Sequence, residues 1–194
     1  MSIESILAQY QTLSAVSKSA VGAVVGACVA DAATRPVHWV YDRSVIESAI
    51  GGNPNPEFWS TSLSPFYTLE TGRRSCYNDE SMVMLQSLSR GQPYRSDAMK
   101  AALMTMYSPD SEYASSLALR KKAYDPSQRT QKREPIPGPW QHSAVTYFLK
   151  SMEEGKDETG DPETAETDGF CLSIPLIARY TQFYNKILDF VLIL

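Results

Sequence analysis

The stretch from Ala20 to Ala33 constrains the fold of this chain more than any other. It is built from small apolar residues, with Gly22 and Gly26 four positions apart and Asp31 as its one charge. On a helix, positions four apart share a face. Two glycines there let a neighbouring helix approach closely, so the sequence predicts a central, crowded helix over 12–33. Ser14 or Ser17 is its cap, and Pro36 lies just past its end. The apolar run from Val21 to Ala33 is shorter than a bilayer span and carries Asp31. It is expected to be buried in protein, with no membrane involved.

The other periodic segments are helical too. Asp42 caps a helix that ends at Gly51 and Gly52. A loop over 53–76 is pinned by Phe58, Trp59, Phe66 and Tyr67. Further helices are expected from 79 to 90, from Ser96, and from the Ser108-Pro109-Asp110 start signal. A proline-rich loop covers 124–140, and Gln141–Glu154 is a helix. Residues 155–167 are acidic, polar and expected to be mobile. A last helix runs from Gly169, bent at Pro175. No alternating strand or repeat stands out, so the class is all-α.

The chain has 194 residues, 43% hydrophobic and 21% charged, which is enough for one domain with a core. A net charge of −4 without a basic stripe argues against nucleic-acid binding. The most basic stretch, Arg120 to Arg133, has polar and acidic neighbours and reads as a solvated face. Cys28, Cys76 and Cys171 are too sparse for a disulfide framework or zinc cluster, which suggests a reducing compartment, the cytoplasm. The N-terminus lacks the pattern of a secretory signal. Asn185 to Leu194 finishes on five apolar residues. That run either packs as a last core helix or needs a partner, including a second copy of the chain.

Two places carry candidate chemistry. Asn78, Asp79, Glu80 and Ser81 offer an amide oxygen, two carboxylates and a hydroxyl, oxygen ligands of the kind Mg²⁺ accepts. The plainer reading is an acidic cap at a helix start. Asp31, alone among apolar residues, must be paired or ligate something. Backbone N–H groups or Arg35 could satisfy it. His38 and His142 have no acid or cysteine beside them in sequence and read as structural.

With these residues the chain resembles the ADP-ribosylglycohydrolases. Gly22 to Ala32 is similar to that family's opening helix, G-A-x-x-G-x-A-x-G-D-A. Asn78–Ser81 lies where the family has Thr-Asp-Asp-Thr, and Asp168 to Pro175 resembles its N-G-x-x-M-R-x-x-P segment. Thr34 to Asp42, Cys76 to Glu80 and Pro137 to Ser143 resemble the branch holding the J-type crystallins and selenoprotein J. The resemblance spans 12–180, and 181–194 is a divergent apolar tail. It implies an incomplete helical bundle, Mg²⁺ at Asn78, Asp79 and Glu80, and substrate contacts from Asp31, Asp168 and Gly169. ADP-ribose, or a protein carrying it, is the implied partner.

The departures weaken that site. Glu80 is one methylene longer than the family's aspartate, Ala30 replaces a glycine, and no Asp-x-Asp-Thr follows Asp168. The expectation is a C-terminally truncated chain with a vestigial or weak Mg²⁺ site. It would be non-catalytic, of the crystallin J type, or an inactive fragment. The alternative is a Mg²⁺-dependent hydrolase of ADP-ribosyl glycosidic bonds.

Overall fold

A computed structural model describes residues 2–53, 55, 57–89, 93–123 and 134–181. Among them lie α1 (Ile3–Thr12), α2 (Ala15–Thr34), a 3-10 turn (Arg35–Val37) and α3 (Arg43–Ile50). They are followed by α4 (Cys76–Ser89), α5 (Ser96–Met106), α6 (Glu112–Ala123), α7 (Ser143–Glu153) and α8 (Asp168–Tyr180). The only β structure among the described residues is a parallel bridge between Tyr67–Thr68 and Ile136–Pro137. The all-α class holds.

Local signals explain most boundaries. The Ser14 hydroxyl accepts the Ser17 N–H at 3.1 Å and starts α2. Leu13 is extended, so the helix expected over 12–33 is preceded by a separate α1. Asp42 accepts the Ser44 N–H at 2.9 Å, and Gly51 ends α3 in the left-handed region at φ 48°. Ser108-Pro109-Asp110 forms a turn instead of opening α6. The helix cap there is the Ser111 hydroxyl, bonded to the Ala114 N–H at 3.2 Å.

α4 and α8 form the centre, and α2 lies along one side of them. Asp31 meets Ser75 and Cys28 meets Met82, so α2 runs antiparallel to α4. Ser81 meets Cys171, and Leu172 and Leu176 pack on Met84, Leu88 and Met99, so α8 runs parallel to α4. A second apolar cluster joins Cys76, Tyr107, Tyr113 and Val145, and Leu103 touches both. α8 passes through Pro175 without ending. Proline has no N–H for the carbonyl four residues back. That carbonyl, of Cys171, accepts the Ser81 hydroxyl at 2.7 Å instead.

The loop beside the site is tied from below. Buried Arg35 donates to the carbonyls of Leu69, Glu70 and Arg73, each at 2.9 Å. Trp39, Phe66, Tyr67 and Trp140 form a cluster in which Trp39 meets the other three, and Phe66 meets Trp140, edge to face with ring centroids 5.3 to 5.8 Å apart. Trp39 holds a left-handed backbone, φ 59°, within this cluster. Phe66 and Tyr67 therefore pin the loop as expected, whereas Phe58 is exposed. The acidic segment is held at its far end, where Glu166 accepts from the Ser143 N–H and hydroxyl.

One expectation is overturned. α2 is not buried: Ala32 is its one buried residue among those described, and Val21, Val25 and Val29 are exposed. A Cβ at Gly22 or Gly26 would meet nothing within 4 Å, so the expected close neighbour is absent from the described residues. The reason is geometric. α2 touches α4 and α8 along one side, while every fourth residue from Val21 faces the other way. By length and composition alone the 23 residues Ala15–Val37 could cross a membrane. Residues 182–194, with the apolar run Asn185 to Leu194, lie outside the described residues, as do Pro126 and the basic residues over 124–133.

Candidate functional site

Each helical residue turns about 100° from the last, so the Asn78–Ser81 tetrad cannot face one way. Asp79 accepts from Arg74 at 3.0 Å and from the Tyr113 hydroxyl at 3.0 Å. Glu80, 3% exposed, accepts the Tyr107 hydroxyl at 2.5 Å. Asn78 is buried, and its Oδ1 has no hydrogen-bond partner. Ser81 serves the Cys171 carbonyl.

Glu80 points at groups from two other elements. His142, 3% exposed, ends the loop before α7, and Asp168 opens α8. His142 Nε2 is hydrogen-bonded to Asp168 Oδ1. The same nitrogen lies 3.8 Å from Glu80 Oε1 and 3.5 Å from Glu166 Oε2. One ligand atom each from Glu80, His142 and Asp168 falls within 4.8 Å of the others. Asp168 Oδ2 is buried without a donor.

Burial decides the protonation pattern. It pushes the Glu80 carboxyl up to about 8, against the pull of His142 and Tyr107. Burial alone would lower His142, but its bond to Asp168 and the charges of Glu80, Asp168 and Glu166 outweigh it and hold the imidazole above 6.5. Burial also favours a neutral Asp168, but the bond and charge of His142 win and keep it below 3.8. Burial thus favours a protonated Glu80, and the His142–Asp168 bond favours an imidazolium facing a carboxylate.

The remaining candidates sit around this centre. Asp31 accepts the Ser75 N–H at 2.7 Å and the Ser75 hydroxyl at 2.6 Å, which ties the end of α2 to the start of α4. Arg35 is engaged elsewhere. A cavity of about 260 Å³ opens on the cluster and is lined by Glu80, Tyr107, Asp161, Glu166, Asp168 and Gly169. A wider one, about 730 Å³, passes His142 and Glu166 and reaches Trp39, Phe66 and Trp140.

The structure thus brings together Glu80, Asp168 and Gly169 but turns Asp79 and Asn78 aside. His142 and Glu166 were missed in sequence because their partners are distant along the chain. The usable signal for His142 was its place within the matched stretch Pro137 to Ser143.

Comparison with known proteins supports the likeness to the J-type crystallins. Crystallin J1A of Tripedalia cystophora is 31% identical over 160 residues, 81% of this chain and 45% of that protein. The chain is a relative of the J-type crystallins. Crystallin J1B of the same animal is 30% identical over 167 residues, 85% of this chain and 47% of its own length. The chain therefore spans about half the length of the curated J-type crystallins it matches. No family model matches it, and no solved structure does.

Proposed function

We propose that this chain is a non-catalytic, structural relative of the J-type crystallins, built on part of an ADP-ribosylglycohydrolase-like helical bundle. The observation that carries this reading is that both carboxylates of the Asn78–Ser81 tetrad have internal partners. Arg74 and Tyr113 take Asp79, and Tyr107 takes Glu80. Magnesium needs several oxygens in near-octahedral array at short distance. Asp79 and Glu80 diverge on α4, so the two carboxylates do not face a common ion. The three cysteines are free, which fits the cytoplasm as the place of residence.

The test is a melting experiment on the full chain with Mg²⁺ and ADP-ribose, alone and together, at millimolar levels. No rise in Tm is expected, because a ligand that binds only the folded state must raise it. A clear Mg²⁺-dependent rise would count against this reading, and Mg²⁺-dependent release of ADP-ribose from an ADP-ribosylated protein would establish the hydrolase instead.

A further inference from the structure

We infer that Glu80, His142 and Asp168 form a binding site for a divalent transition-metal ion of the zinc class. The ligand set is one imidazole nitrogen and two carboxylate oxygens, supplied by three separate elements that the central helices hold together. In a tetrahedral zinc site, ligand atoms sit roughly 3.3 Å apart. His142 Nε2 lies 3.8 Å from Glu80 Oε1 and is hydrogen-bonded to Asp168 Oδ1, so an ion enters by replacing that bond, with small side-chain shifts to the tetrahedral spacing. The three ligand atoms already lie within 4.8 Å of one another.

The chemistry selects the metal. Magnesium takes oxygens, whereas an imidazole beside carboxylates suits zinc and its first-row neighbours. The site therefore differs from the oxygen tetrad Asn78–Ser81, since Asp79 takes no part in it. A second layer is present. The Tyr107 hydroxyl orients Glu80, and Glu166, anchored on Ser143, faces the same nitrogen. Three carboxyl groups, of Glu80, Glu166 and Asp168, converge on the one imidazole, and a bound ion displaces the protons of Glu80 and His142. Asp168 Oδ2, buried without a donor, keeps a lone pair for it. The 260 Å³ cavity gives the ion an entry path and leaves its fourth position open to water.

The experiment is a titration of the reduced full chain with Co²⁺, followed by visible absorption. One ion per chain should give d–d bands, which an equivalent of Zn²⁺ removes and millimolar Mg²⁺ does not. Glu80→Gln and His142→Gln should lose the bands, and Asp79→Asn should keep them. Circular dichroism checks that each variant is folded. X-ray absorption of the zinc-loaded wild-type chain gives a reading that needs no variant. It should show imidazole scattering and no zinc–sulfur shell near ~2.3 Å. Absent bands, bands that survive in folded His142→Gln, or a sulfur shell would each overturn the assignment. None of these outcomes depends on Mg²⁺ or on hydrolysis, so the site and the non-catalytic reading can fail separately.

Discussion

Glu80 sets the pH behaviour of the molecule through a single proton. The unfolded chain releases that proton near the ordinary 4.5, while the folded chain holds it to about 8 because the carboxyl is buried. Over that window the folded state binds more protons, so stability falls as pH rises. His142 adds to the slope. Its folded value is raised above 6.5, so its contribution is complete below 6.5 and is lost as pH climbs through the folded value. Asp168 acts the other way, contributing above 3.8 and losing that contribution as pH falls. The expected result is a Tm that declines steadily from about pH 5 to about pH 8.5, with most of the slope removed in Glu80→Gln. A wild-type profile that is flat over this range would show that Glu80 is not buried as described. Sequence pattern located Glu80 and Asp168 because each stands in a recognisable motif. It read His142 as structural, because the partners of that ring are assembled only by packing α4 against α8. It also read four consecutive residues as one site, and the 100° helical step divides them between Arg74, Tyr107 and Cys171.

At the scale of elements, the α4–α8 contact rests on an exchange of hydrogen bonds. Pro175 leaves the Cys171 carbonyl without its intrahelical donor, and Ser81 reaches across from α4 to supply one. Ser81→Ala should therefore cost about 1–2 kcal/mol, the cost of an unsatisfied buried acceptor. Pro175→Ala gives that carbonyl an N–H within α8, so Ser81→Ala in its background should cost about 1 kcal/mol less. Urea denaturation of the four proteins of this cycle measures the coupling. Strictly additive effects would mean that Ser81 and Pro175 are unrelated. Elements of this kind were legible at most local signals, Ser108-Pro109-Asp110 being the exception because Ser111 supplies the cap of α6. The Ser14 and Asp42 caps and the Gly51 stop all fall where the residues put them. The bridge between Tyr67–Thr68 and Ile136–Pro137 was not, because two residues carry no period and the pairing is set by distant chain. α1 was missed because the small-residue run drew attention to α2, and the break at Leu13 has no glycine or proline to mark it.

At the scale of the whole molecule, the contrast is between the two sides of the central helices. α4 buries Met84 and Leu88, yet α2, richer in apolar residues, leaves Val25 53% exposed and Val29 51% exposed. Ile3, Ile6 and Leu7 of α1 are exposed as well. An apolar side chain already in water loses little when made polar, whereas truncating one in a packed core loses transfer energy and leaves a cavity. Val25→Lys should accordingly change stability by no more than about 0.5 kcal/mol. Leu88→Ala, at a side chain 2% exposed, should cost about 2–4 kcal/mol. Both are read from the urea midpoint of the full chain at constant protein concentration. If Val25→Lys instead costs as much as Leu88→Ala, the outer face of α2 is covered in solution, and the expectation of a buried central helix drawn from Gly22 and Gly26 would be restored. A neutral Val25→Lys beside a damaging Leu88→Ala would fix the core between α4, α5 and α8 and leave α2 as its rim.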